Sequence, residues 1–395
     1  MLRQRFSMVR SVQWLTFLAT LFLTAVPSQA QVQWLGTIQI PGTAKDLSGL
    51  SGDLETQTPI NAFGGLSAID HTGHGDRYLV LSDRGPGDGA ASFPCRFHEV
   101  ELRVDPTSKS IRFELIQTHL MTDLQDHPLT GSLEQLKSWN KGTRCPSYDP
   151  EGIRCMPNNM VVISDEYGPH IDLFDPHGKM LQSIPVPEKF GLSDRRTPPL
   201  VFGAFPNRGL EGIAVTPSGD TVVAAMQGPL VQDGRIENNK CLGTRTRWIV
   251  HHPSDPKSTE LIYSLDNEST GVSEVLAVDE DRFLVLERDS RIGSEAKIKK
   301  IYLADTKGAS DISAVDSLRS DHLPPDTRII QKKLLIDLLD PAFGMSGADA
   351  PEKPEGIAWG PRLPDQRRLL IVCFDNDFEP SKNTLFVAFA VAGLN

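Results

Sequence analysis

Glutamate opens a recurring phrase at four places: Glu151-Gly152-Ile153-Arg154-Cys155, Glu211-Gly212-Ile213-Ala214-Val215, Glu274-Val275-Leu276-Ala277-Val278 and Glu355-Gly356-Ile357-Ala358-Trp359. A fifth copy, Gly64-Gly65-Leu66-Ser67-Ala68, starts with glycine instead. One apolar run later, each copy reaches a polar residue: Asp83, Asp165, Gln227, Glu287 and Asp375. Equivalent points of units repeated around a ring converge on its axis. Carboxylates gathered there repel one another and take up protons unless a cation neutralises them. Oxygen donors in such number suit calcium, or magnesium with retained waters. Glu151, Glu211 and Asp165 are thus candidate acids and bases, and Asp83, Glu166, Glu287, Glu355 and Asp375 are candidate metal ligands. Arg84 and Arg288 directly follow two of these acids and Arg208 lies three residues before Glu211. A guanidinium fork grips phosphate or carboxylate, which makes these three the candidate substrate-binding groups. Of ten histidines, His170 is the candidate general acid or base. The simpler alternative is structural, with each acid capping a turn of its own unit and each arginine pairing locally.

The elements that must carry these residues are read from what surrounds them. After each phrase come turn-forming residues, such as Thr72-Gly73-His74-Gly75, Pro157-Asn158-Asn159, Pro217-Ser218-Gly219-Asp220 and Asp279-Glu280-Asp281. A second apolar run follows: 78–83, 160–165, 221–227, 283–287 and 369–375. Each unit therefore reads strand, turn, strand, with a third strand at His170–Asp175 in at least one. Helical periodicity is confined to Ser132–Trp139 and Lys332–Leu339. Units of roughly 60 residues made of antiparallel strands describe blades of an all-β propeller. At that length the chain predicts six blades. The sixth is built from both ends, Val32–Ile40 and Asn383–Val391, which closes the ring and removes the free sheet edge. Ser92–Cys145 and Lys307–Pro354 read as insertions.

Arg3, Arg5 and Arg10, the largely apolar run Val12–Val26 and the small residues at Ser28-Gln29-Ala30 form a secretory signal peptide over 1–30, with 31–395 as the propeller domain. The product is expected to be secreted or periplasmic, free of the membrane after cleavage. The chain has 395 residues, a formal charge of −11 and a pI near 5.4. Such a balance argues against a nucleic acid partner, whose affinity comes mainly from lysine and arginine, and in favour of cations and small ligands. An oxidising compartment permits disulfides. Cys373 sits in an apolar run and reads as a free buried residue, leaving Cys95, Cys145, Cys155 and Cys241 with three possible pairings. No C-x-x-C, H-E-x-x-H or G-x-S-x-G motif occurs.

Several strings together resemble a known family. Gly64-Gly65-Leu66-Ser67 with Ser82-Asp83-Arg84-Gly85, Asp149-Pro150-Glu151-Gly152-Ile153 with Ser164-Asp165-Glu166-Tyr167-Gly168-Pro169, and Asn207-Arg208-Gly209-Leu210-Glu211-Gly212-Ile213 are similar to the esterase-like activity of phytase family of secreted proteins. The similarity runs from about Gly64 to Asp377. It implies a propeller related in outline to calcium-dependent phytases and lactonase-like propellers, and hydrolysis of phosphoesters or esters. The matching positions are Asp83, Arg84, Glu151, Asp165, Glu166, Arg208 and Glu211. Val275 and Gly64 depart from the phrase, so those two units are expected to contribute less to a metal site. The expected activity is metal-dependent hydrolysis of a small anionic phosphoester in the channel. Carboxylic ester or lactone hydrolysis, or a calcium-stabilised binding propeller without catalysis, are the alternatives.

Overall fold

Each recurring phrase forms the innermost strand of a four-stranded antiparallel sheet, and five such sheets form a ring. The computed structural model describes Met1 and residues 31–139, 144–192, 202–255, 257–319 and 323–394. The expected signal peptide, apart from Met1, lies outside the described residues. Blade 1 runs Leu66–His71, Arg77–Ser82, Arg96–Asp105 and Ser110–Leu120 from the axis outward. Blade 2 runs Pro150–Cys155, Val161–Asp165, His170–Phe174 and Met180–Ile184. Blade 3 runs Leu210–Val215, Val222–Met226, Arg245–His251 and Thr259–Ser264. Blade 4 runs Gly271–Ala277, Arg282–Arg288, Lys299–Asp305 and Gln331–Asp337. Blade 5 runs Lys353–Arg362, Arg368–Asp375 and Thr384–Val391, and Val32–Ile40 from the N-terminal end is its outermost strand.

The propeller is therefore five-bladed rather than six-bladed. The two terminal strands do pair with each other, from Val32 opposite Val391 to Ile40 opposite Thr384, but they complete blade 5 instead of forming a blade of their own. The supposed insertions account for the extra length: 92–145 carries the outer two strands of blade 1, and 307–354 carries the outer strand of blade 4. That outer strand includes most of Lys332–Leu339, read from the sequence as helical. Ser132–Trp139 does contain a helix, Leu133–Ser138, whose N-cap Ser132 accepts from the Gln135 N–H.

Between every pair of neighbouring blades lies one large apolar cluster, so each sheet is covered on both faces. Along the second strand of blade 1, Tyr78 and Val80 face blade 5 while Leu79 and Leu81 face blade 2. This double burial explains the unbroken apolar runs of the inner strands, where a sheet wet on one side would alternate. The phrase glycines serve the close approach of adjacent inner strands. A Cβ on Gly212 would stand 2.6 Å from the Val275 nitrogen of blade 4, and one on Gly356 would stand 2.8 Å from the Ala68 Cα of blade 1. Cys373 is buried and free as expected, and the other four cysteines are free as well, so none of the three pairings forms.

The axis is blocked at one level. Arg154 of blade 2, 2% exposed, donates through Nη1 to the Ile69 carbonyl of blade 1 and through Nη2 to the Val275 carbonyl of blade 4. Its Nη2 lies 3.0 Å from Glu274 Oε2, and Glu274 Oε1 accepts from Ile213 N–H of blade 3. Four blades are tied together by this one ion pair.

Candidate functional site

In all five blades the pairing of the two innermost strands slips at the phrase: between Leu66 and Ala68, Pro150 and Gly152, Leu210 and Ile213, Val272 and Glu274, and Pro354 and Gly356. A bulge of this kind turns an extra side chain out of the ladder. The bulged residues Ser67, Glu151, Glu211, Ser273 and Glu355 all line one cavity of about 680 Å³ at the axis. On the second strand, the residue one position beyond the partner of the last residue before the slip joins them, giving Asp83, Glu166, Gln227, Arg288 and Asp375. The funnel is thus walled by two stacked rings of five polar positions. Six of the ten are carboxylates, and three of the four exceptions, Gln227, Ser273 and Arg288, lie on blades 3 and 4, the fourth being Ser67 of blade 1.

This register moves three sequence-based candidates out of the funnel. Asp165 lies one residue short of the wall, where it accepts from the N–H groups of Asp149 and Gly168 at 2.7 Å each. Glu287 is likewise one residue short; it accepts from Tyr263 Oη at 2.6 Å, from the Asp266 N–H and from Lys332. A shift of one residue reverses the face a strand side chain takes. His170 opens the third strand of blade 2 away from the cavity, its Nε2 buried without a partner, and burial with nearby Arg144 pushes it down to about 4. Glu274 gives its phrase position to Ser273 and belongs to the axial pair with Arg154 instead.

Asp83, Arg84, Glu151, Glu166, Arg208, Glu211, Arg288, Glu355 and Asp375 do come together around the cavity. Three residues at the site, two in the wall and Asp149 buried behind it, have no role in the sequence reading. Asp149, beside Glu151, brings a carboxylate oxygen within 4.8 Å of oxygens of Glu151 and Glu166. Lys353, two positions before Glu355, lies 3.2 Å from Asp375 and also pairs with Asp377. The third, Lys240, comes from a hairpin, Arg235–Glu237 with Lys240–Leu242, that rises at the mouth beside blade 3.

The cations are unequally engaged. Arg84 donates its backbone N–H and Nη1 to the two oxygens of Asp149, and Nη1 stands 3.6 Å from Glu166 and 3.9 Å from Glu151. Arg288 grips Glu355 through Nε and Nη2 and donates to Ser273 Oγ at 3.0 Å. Arg208, by contrast, donates from Nη2 to the Thr270 carbonyl at 2.9 Å and leaves Nε buried without a partner. Glu211, 4% exposed, accepts from Gln227 through Oε1, while its Oε2 is also buried and unpartnered.

Burial is the largest cause of the acids' shifts, and neighbouring carboxylates add to it. Asp83, Glu151 and Glu211 are held well above the usual carboxylate range, with Asp375 acting on Asp83, Asp149 on Glu151 and Glu166 on Glu211. Burial and Asp149 push Glu166 up to about 7 against the pull of Arg84. Asp375 rises to about 6 by burial, opposed by Lys353. Such a wall can bind a cation, hold protons at neutral pH, and present arginine to an anion.

Among the described residues no helix is long and apolar enough to cross a membrane. A protein of Arthroderma benhamiae named as an uncharacterised secreted protein is 26% identical over 256 residues, covering 49% of this chain and 48% of that protein. The match thus spans about half the length of that relative. Among solved structures, the PQQ-bound aldose sugar dehydrogenase of Streptomyces coelicolor aligns over 93% of this chain and 99% of its own at 11% identity and a TM-score of 0.37. An ancestral GH74 enzyme aligns over 82% and 35% at 12% identity and a TM-score of 0.37. Nothing about ligand or activity transfers at that level. Residues 61–378 match the family described as Phytase-like, esterase-like activity of phytase, and the chain belongs to that family.

Proposed function

We propose that the chain is a secreted hydrolase of small anionic esters, acting on phosphomonoesters in preference to carboxylic esters or lactones and using a divalent cation, calcium by the hardness of the donors. The observation that carries this reading is the pair of unpartnered buried atoms on two residues that line the funnel, Arg208 Nε and Glu211 Oε2. A buried polar atom without a partner costs about 1–3 kcal/mol, which a ligand can relieve. Arg208 receives the substrate's anionic group. Glu211 holds or moves a proton at Oε2, Gln227 fixing its other oxygen. Arg288 and Lys353 are already paired with Glu355 and Asp375, so they orient those carboxylates.

The donor set fits a cation. Both oxygens of Asp149 are taken by Arg84, leaving Glu151 and Glu166 as the groups that would hold the ion, with Asp149 fixing their neighbour Arg84. When bound, the ion supplies Lewis-acid polarisation of the ester or phosphoryl oxygen. Secretion through cleavage after Ala30 is supported by the n-region, apolar run and small residues of 1–30, and is checked by the N-terminal mass of the exported protein.

The test is to strip the purified protein with chelator and assay p-nitrophenyl phosphate, phytate, p-nitrophenyl acetate and a lactone with calcium, magnesium or no addition, beside Glu211→Gln. Calcium-restored phosphate release that the variant loses supports the proposal. Metal-independent cleavage of acetate or lactone replaces it with the esterase reading. Silence on every substrate, with calcium raising only the melting temperature, replaces it with a binding propeller.

A further inference from the structure

Asp88 lines the funnel on the segment that links the second and third strands of blade 1. Its Oδ1 accepts from Arg84 Nη2 at 3.1 Å. The two partners differ sharply in surroundings: the Arg84 side chain is 9% exposed and that of Asp88 is 80% exposed. Arg84 Nη1 and N are committed to buried Asp149, and Nη2 has Asp88 as its partner.

The backbone is built to put that carboxylate there. Gly85, Gly87, Asp88 and Gly89 have φ of 99°, 68°, 54° and 77°. Three of these four positive-φ positions are glycine, and the one side chain accepted among them is the one that reaches Arg84. The backbone itself has little room to move. A Cβ on Gly85 would meet the Phe93 side chain at 2.3 Å and one on Gly89 would meet the Gly131 carbonyl at 2.6 Å. Only the Asp88 side chain is free to turn away into solvent.

We infer that Asp88 is a carboxylate latch, an internal stand-in for ligand anion that occupies Arg84 until a phosphate-bearing ligand displaces it. The inference rests on the reading of the funnel as an anion site. Asp149 holds Arg84 through N and Nη1, and the latch supplies the partner of the remaining Nη2. An ion pair with one exposed partner is weak, so a dianion that also reaches Arg208 outcompetes it while a small monoanion does not. Asp88 is in this sense a specificity-determining residue, setting the charge a ligand must carry.

Binding of inorganic phosphate to the full chain, followed by calorimetry, tests this without turnover. Asp88→Asn and Asp88→Gly both suit a left-handed backbone, and Glu268→Gln removes a carboxylate of the funnel lining that pairs with Arg235 and not with Arg84. The expected result is phosphate affinity about threefold to tenfold tighter in both Asp88 variants, a range set by weak exposed pairs and stronger charge-assisted ones, and a markedly smaller change in Glu268→Gln. Equal affinity in wild type and the Asp88 variants overturns the latch alone. An equal gain in Glu268→Gln overturns it also, by assigning the effect to net charge. No phosphate binding by any of the proteins overturns the latch together with the anion reading.

Discussion

Arg208 and Glu211 stand three positions apart where blade 3 enters the funnel, and each leaves one buried polar atom without a partner on the same cavity. The two side chains carry complementary charge and neither atom is the other's partner, an arrangement a bridging ligand would complete. Arg208→Met is expected to raise KM for an anionic ester roughly 10- to 100-fold, the loss of one charge-assisted bond. Glu211→Gln is expected to lower kcat about 100-fold or more with KM little changed. Steady-state kinetics on the two variants separate these effects, and a KM effect in both places the two residues in binding alone.

Removing Arg154 leaves Glu274 buried at the axis with no cation. At pH 9, above the value of about 8 to which burial lifts Glu274, Arg154→Met is expected to cost about 3–5 kcal/mol, the usual penalty for breaking a buried pair from one side. Arg154→Met with Glu274→Gln is expected to recover a large part of that. Urea unfolding of the single and double variants decides; equal loss in both assigns the role of Arg154 to its carbonyl bonds rather than to the ion pair.

Stability of the cation-free protein is expected to fall as pH rises from about 6.5 to 8. Burial, against the pull of Arg154, lifts Glu274 to about 8. A carboxyl with a raised folded pKa binds its proton more tightly when folded, so its favourable contribution is present at low pH and is lost as pH rises through the folded value. Each pH unit in that window is worth about 1.4 kcal/mol per such group. His98, buried and pushed down to about 3, and His170 act oppositely, but only below 6.5, where the unfolded histidines begin to charge. Melting temperatures across pH 5 to 9 in chelator read this directly, and a rise between 6.5 and 8 would sink the account.

Blade 5 depends on its outermost strand. Deleting 32–40 strips Thr384–Val391 of its ladder partner and removes the buried side chains Leu35 and Ile40 from the cluster between blades 5 and 1. The freed edge is a template for pairing with another chain. The truncated protein is expected to associate or precipitate, which size-exclusion chromatography reports; a stable monomer would show that the remaining three strands suffice.

The inner strands were legible because both of their faces are buried, which leaves an apolar run followed by turn residues, as at 369–375. The outer strands were not. Gln331–Asp337 is largely half-buried or exposed and reads Gln-Lys-Lys-Leu-Leu-Ile-Asp, a string that serves a helix equally well, and losing it turned outer strands into insertions and five blades into six. The funnel was legible to within one residue. The phrase glutamates Glu151, Glu211 and Glu355 do face the axis, but a bulge is a local break in the two-residue period, and no periodicity announces where it falls. That single step separates Asp165 from Glu166 and Glu287 from Arg288. Lys353 carried a signal that was available, since it stands two positions before Glu355.

The pair at the axis also makes the funnel a vessel with one door. Arg154 reaches across from blade 2 to blades 1 and 4, so nothing that enters at the ring of Glu151 and Glu211 can leave on the far side. In the proposed reaction, substrate and product would use the same passage in turn. A released anion therefore departs past Arg208, the group that would receive the next substrate, and its retention there would act as a brake on the cycle.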